Sequence, residues 1–198
     1  MKKVLITGGS GFLGLNVIEN LLKNRPDIEI YNCGRTAVDL KKVKNIQCNA
    51  VNFDFNSINC FEFDYIINLL ALSNNKFCED FDYASKINID FTKRLLDFSI
   101  VQKKIRKIVH LSSIIIYDNF NIPPVKEDDK LYLNYNNYSF TKGISEFYAN
   151  YFIKKYSLPL IIFRLSNIYG PYQKFINSPF LVPSKIMQAL NEKKNRSV

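Results

Sequence analysis

The chain has 198 residues, 47% of them hydrophobic, which is enough for one substantial core or one core with a small appendage. No apolar run approaches the roughly 20 residues that cross a bilayer, and the opening MKKVLITGGSG breaks into glycines too early for a signal-peptide core, so a cytoplasmic protein without membrane contact is expected. The formal charge of +9 would suit a polyanion, but the Lys and Arg residues are dispersed and no nucleic-acid motif accompanies them, so no nucleic-acid partner is expected.

Strand-like apolar runs alternate with helical stretches. KVLIT (3–7) leads into glycines and a helix expected over 11–24. IEIYNC (28–33), IQCNAVNF (46–53) and YIINLLAL (65–72) follow as strands, and a second helix is expected over 83–102. KIVHLSS (107–113) is the fifth strand, 138–156 the third helix and PLIIFRLS (159–166) the sixth strand. Near-continuous apolar strands joined by helical crossovers are what a parallel sheet covered on both faces requires. The expected fold is therefore α/β, a doubly wound parallel sheet of the Rossmann type. The irregular stretch 118–137, with Pro123 and Pro124, is long enough to suggest a functional loop. Cys33, Cys48, Cys60 and Cys78 form no CxxC and the chain has one histidine, so reduced thiols are expected, with neither a disulfide framework nor a metal site.

Gly8, Gly11 and Gly14 in TGGSGFLG follow a strand and open a helix, the context in which such a triplet binds a dinucleotide. Gly8 permits the tight turn, Gly11 lets the backbone approach the pyrophosphate and Gly14 allows close packing, with the phosphate charge met by the helix N-terminus. Phe12 and Leu13 lie within this turn and are counted with it. An NAD site places an acid about 20 residues on, at the ribose 2′-hydroxyl. Here the second strand ends instead in Cys33-Gly34-Arg35-Thr36, and the Arg35 guanidinium would suit a 2′-phosphate. The cofactor is thus expected to be NADP or NAD, with NADP favoured; an exposed loop cation is the other reading of Arg35. Asp54, with Phe55 beside it, could accept from the adenine amino group or simply cap a turn.

Tyr138 and Lys142 in YSFTK stand four apart at the start of a predicted helix, so both leave the same face. An ammonium near a phenol stabilises the phenolate and would draw the tyrosine pKa down toward a value useful for proton transfer. Ser113 ends the strand KIVHLSS, where an open α/β sheet presents its site. In a chain with 12 tyrosines the Tyr-x-x-x-Lys pair is weak alone and specific only beside the glycine turn and LSSIIIYD.

From Lys2 to about Leu190 the sequence resembles the extended short-chain dehydrogenase/reductase family, the NAD(P)-dependent epimerase/dehydratase group that modifies nucleotide sugars. TGGSGFLG, DYIINLLA, NIDFTKRLLD, SSIIIY, YSFTKGISE and RLSNIYGP carry the resemblance in the family's order. It implies that Tyr138 is the acid/base, that Lys142 lowers its pKa while contacting the nicotinamide ribose, and that Ser113 holds the substrate oxygen. It further implies Leu70, Ala71 and Asn88 as cofactor contacts, Asn167 as a contact to the substrate's nucleotide diphosphate, a homodimer, and a part in making surface-polysaccharide precursors.

Asn68 replaces the family's usual His, Leu70 an Ala, and Phe91 a common Gly. Ile114 and Ile115 stand where sugar 4,6-dehydratases of this kind carry Asp-Glu, so an epimerase or keto-sugar reductase is expected over a dehydratase. The alternative is a non-catalytic NAD(P)-binding module or an inactive fragment of such an enzyme. Family members continue well beyond NEKKNRSV, so the expected division is a Rossmann domain over 1–170 and, over 171–198, the start of a truncated substrate-binding appendage.

Overall fold

The computed structural model describes residues 1–117, 124–133 and 135–173. Six parallel strands form one sheet: β1 (Lys2–Thr7), β2 (Ile28–Gly34), β3 (Val43–Gln47), β4 (Tyr65–Asn68), β5 (Lys107–Ser113) and β6 (Leu160–Leu165). Their order is β3-β2-β1-β4-β5-β6, that of a doubly wound nucleotide-binding sheet. The order reverses between β1 and β4, so the loops leaving those two strands diverge and open a crevice at their C-terminal ends.

Alternation along β1 divides the core. Val4 and Ile6 face α1 (Phe12–Asn24) and pack with its Ile18, while Leu5 faces the opposite side and packs with buried Phe91, Leu95 and Phe152. Those residues belong to α3 (Phe91–Val101) and α4 (Asn137–Tyr156). Each such side chain, fully buried, contributes roughly 1.5–3 kcal/mol.

Three expectations need correction. The fourth strand, expected over 65–72, is shorter: β4 ends at Asn68, and the Leu70 N–H beyond it bonds to the Thr7 hydroxyl instead of a neighbouring strand. The third strand does not run over 46–53: β3 covers Val43–Gln47, and beyond it Cys48 and Ala50 are buried without being in a strand. There the Phe53 and Phe55 rings pack edge to face, and the Arg94 guanidinium donates to the carbonyl of Phe53 at 2.7 Å. An apolar run does not distinguish a central strand from an anchored buried loop. The helix expected over 83–102 is helical from Phe81 but not uniform. α2 (Phe81–Ser85) passes into a π turn (Lys86–Asp90), where the Phe91 N–H bonds back to the Lys86 carbonyl, before α3 begins. Such turns insert one residue and rotate the side chains around it, often at functional sites.

α4 starts at Asn137 because Asn136 caps it: the Asn136 side chain accepts from the Ser139 N–H at 2.8 Å, and the Ser139 hydroxyl accepts from the Asn136 N–H at 3.0 Å. Of the long loop, the described part returns to the sheet through the Tyr117–Leu131 bridge. Residues 174–198 of the expected appendage lie outside the described residues. Among the described residues no helix is long and apolar enough to cross a membrane.

Candidate active site

β1 runs directly into the glycine turn. Gly8 has φ +71°, and a Cβ there would lie 3.1 Å from both N and Cα of Leu70, so the exits of β1 and β4 touch backbone to backbone. Gly14 is tighter, since its Cβ would fall 2.5 Å from the Gly8 oxygen and Gly9 Cα. Gly11 is the N-cap of α1, with no side-chain capping bond and no acid in the first turn. The positive end of the helix is therefore left for an anion. Phe12 and Leu13, half-buried, form its first turn. The segment after β6 folds over this turn: the Phe12 ring lies beside Gly170, and the Asn16 amide donates to the Pro171 carbonyl at 2.8 Å.

At the end of β2, Arg35 is exposed and makes no ion pair among the described residues. Asn32, which the sequence did not single out, is fully buried there. Its amide donates to the Thr36 carbonyl at 3.1 Å and to Asn45 Oδ1 at 2.9 Å, while its own Oδ1 has no partner among the described residues and faces Gly9. It braces the end of β2 beneath the glycine turn from inside the sheet. Asp54 is exposed and caps a 3₁₀ turn (Phe55–Phe61) by accepting from the Asn56 N–H at 2.9 Å. The Phe55 ring packs in the core against Phe91 and Phe98.

Beyond β4, the Leu70 N–H donates to the Thr7 hydroxyl at 3.3 Å, and Ala71 follows, half-buried. Asn88, on the π turn, braces this stretch. It accepts from the Leu72 N–H at 2.8 Å and donates to the Leu72 carbonyl and to Thr141 Oγ1 at 3.0 Å. Its amide is thus spent on holding the β4 exit against α4.

Ser113, Tyr138 and Lys142 converge at the end of β5. Ser113 caps a 3₁₀ turn (Ile114–Ile116), accepting from the Ile115 N–H at 3.3 Å, and its hydroxyl lies beside the Tyr138 phenol. Ser112, beside Ser113 near the end of β5, has a buried hydroxyl without a partner among the described residues. Tyr138 occupies the first turn of α4, and Lys142 one turn on is buried, its ammonium donating to the Leu111 carbonyl. Burial lowers Lys142 to about 8 against the pull of Glu146. The Tyr138 phenol, expected to be drawn down by the ammonium, is raised: burial dominates, Ser113 opposes it, and Lys142 is engaged with β5. Arg164, at the end of β6, anchors the sheet to α4 by donating to buried Glu146 at 2.6 Å while stacking on Tyr117. Asn167 is exposed just past β6.

The sheet thus gathers the glycine turn, Leu70 and the Ser113, Tyr138 and Lys142 cluster along one edge, leaving Arg35, Asp54 and Asn167 at its periphery. The Gly8 and Gly14 approaches and the uncapped helix fit a dinucleotide. Order of strands and site define a Rossmann-type dinucleotide-binding protein.

Comparison with known proteins makes the assignment specific. The NAD dependent epimerase/dehydratase family model matches residues 4–198, and the chain belongs to that family of enzymes. A trifunctional UDP-glucose 4,6-dehydratase/UDP-4-keto-6-deoxy-D-glucose 3,5-epimerase/UDP-4-keto-L-rhamnose-reductase of Arabidopsis thaliana is 29% identical over 97% of this chain and 31% of its own. A dTDP-D-glucose 4,6-dehydratase of Dictyostelium discoideum is 28% identical over 98% of this chain and 49% of its own. The chain thus spans half or less of these relatives. The structure of a UDP-glucuronic acid 4-epimerase from Bacillus cereus, in complex with UDP-glucuronic acid and NAD, shares the fold. Its TM-score is 0.82 at 22% identity, over 96% of this chain and 63% of the other.

Proposed function

We propose that this chain carries the cofactor and proton-transfer site of a nucleotide-sugar epimerase or keto-sugar reductase serving surface-polysaccharide precursors in the cytoplasm. One observation carries the reading: Ser113, Tyr138 and Lys142 meet at the end of β5, on the edge of the sheet that bears the glycine turn. When bound, the nicotinamide supplies or accepts hydride. Gly8, Gly11 and Gly14 hold the pyrophosphate, with Phe12 and Leu13 presenting the helix end, and Leu70 and Ala71 flank the cofactor. Ser113 would hydrogen-bond the reacting sugar oxygen, Tyr138 would give or take its proton, and Lys142, held by the Leu111 carbonyl, would contact the ribose. Asn88 supports Leu72 from behind. Asn167 and a substrate region over 171–198 belong to the nucleotide-sugar side.

Ile114 and Ile115 supply no acid or base beside Ser113, so a dehydratase step is disfavoured even though the named relatives include dehydratases. NADP is favoured over NAD by the exposed Arg35 and by the lack of an acid in Cys33-Gly34-Arg35-Thr36 at the end of β2. A homodimer is supported by α4: Phe140, Ile144, Phe147 and Tyr151 recur at helical spacing on one side, and Phe147 is 69% exposed. Phe81 of α2 extends the stripe, its ring centroid 5.7 Å from that of Phe140.

The test is turnover of a panel of UDP-, GDP- and dTDP-sugars with NAD(P). Conversion of at least one sugar to its epimer or reduced product is expected. Cofactor binding without conversion of any would replace this reading with that of a non-catalytic dinucleotide-binding module.

A further inference from the structure

Beneath the Ser113, Tyr138 and Lys142 cluster a buried polar path crosses the sheet. The Thr7 hydroxyl donates to Asn68 Oδ1 at 2.7 Å and accepts from the Leu70 N–H. Asn68 Nδ2 reaches His110 Nδ1 at 3.1 Å, with Thr92 Oγ1 at 3.4 Å on its other side. Across the imidazole, Nε2 meets Ser145 Oγ at 3.4 Å, and the Ser145 hydroxyl donates to the Lys142 carbonyl at 2.8 Å. Thr7, Asn68, His110 and Ser145 are all buried.

The donors and acceptors run in one direction. Asn68 Oδ1 can only accept, so it takes the Thr7 proton and the amide presents N–H to the ring. Nδ1 must then accept, which leaves the single proton of a neutral imidazole on Nε2, aimed at Ser145 Oγ. A second ring proton would set two donors face to face, and burial first, then the Lys142 ammonium, opposes the added charge. The path starts one residue before Gly8 and ends on the backbone of Lys142. Its Asn68 and Thr92 bonds also catch α3, because the Thr92 hydroxyl donates to the Asn88 carbonyl at 2.9 Å. Chains of hydrogen bonds aligned in this way polarise and stiffen one another in a low-dielectric interior.

We propose that Asn68 and His110 are positioning residues whose directed hydrogen-bond chain holds Lys142 and Tyr138 in register with the glycine turn. This rests on the function proposed above, but the arrangement itself can be read without turnover.

His110 is the only histidine, so an untagged, ¹⁵N-labelled protein gives one imidazole in a long-range ¹H–¹⁵N spectrum. At neutral pH the proton is expected on Nε2, with Nδ1 unprotonated. NAD⁺ is expected to shift the ring signals in the wild type and to leave them unmoved in folded Asn68→Leu. A proton on Nδ1, a doubly protonated ring, or equal NAD⁺ shifts in both proteins overturns the proposal. In turnover assays His110→Phe is expected to lower kcat roughly tenfold with the NAD⁺ Kd within about twofold. His110→Gln, which keeps an acceptor and a donor, should recover most of that loss, and a loss equal to that of Phe counts against the chain. A wild type that binds NAD⁺ but turns over no sugar overturns the proposed function alone, and the tautomer and its cofactor response still decide the proposal. If NAD⁺ does not bind, the tautomer decides it.

Discussion

Gly8 and Leu70 meet backbone to backbone, 3.1 Å separating the position of a Gly8 Cβ from the Leu70 nitrogen. That contact brings the two diverging loops of the sheet together, and it leaves no room for a side chain in a conformation that already disfavours one. Gly8→Ala is expected to weaken NAD⁺ binding at least about tenfold and to destabilise the fold by roughly 1–3 kcal/mol. Calorimetric titration and thermal denaturation check both. An unchanged affinity would remove the turn from the cofactor site.

Lys142 has a folded-state pKa of about 8, held there by burial, against 10.5 for an unperturbed lysine. Between those values the unfolded chain binds more protons, so stability rises with pH over that window; below it the native state bears the full cost of a buried ammonium. Lys142→Met removes the cost. The stability difference between variant and wild type should therefore shrink by roughly 3 kcal/mol from about pH 7 to about pH 11. Urea denaturation at the two pH values measures it, and a pH-independent difference contradicts it. Turnover should fall above about pH 8 as the ammonium is lost.

Arg35 projects from the end of β2 without an ion pair among the described residues. NADPH is expected to bind more tightly than NADH, and Arg35→Ala to lose roughly tenfold in NADPH affinity while leaving NADH nearly unchanged. Equal affinities in the wild type would make Arg35 a surface cation and restore NAD as the cofactor.

The α4 stripe of Phe140, Ile144, Phe147 and Tyr151 predicts self-association. Light scattering should give the mass of a dimer for the wild type and of a monomer for Phe147→Glu. A monomeric wild type would contradict the dimer.

Much of this was legible in the sequence because it rests on local rules. A glycine triplet between strand and helix, and Tyr138 one turn from Lys142, are patterns that spacing alone defines. The run over 46–53 misled because Cys48 and Ala50 pack into the core without strand pairing, and the segment is anchored by Arg94, far along the chain. The π turn at Asn88 is invisible to a period of 3.6 residues. Asn32, Asn68 and His110 gain their meaning from partners on other elements: His110 is a lone histidine in an apolar strand until Asn68 of β4 and Ser145 of α4 are seen on either side of its ring. The direction of the Tyr138 shift was likewise beyond a spacing argument, since it depends on how deeply the phenol is buried.

In the proposed site the Tyr138 hydroxyl moves the proton while other residues hold the cofactor. The most direct measurement compares wild type and Tyr138→Phe for NAD(P) affinity and for turnover of whichever nucleotide sugar the wild type converts. The variant should bind cofactor within about twofold of wild type and lose turnover by at least about a hundredfold. Turnover retained by the variant would contradict the account.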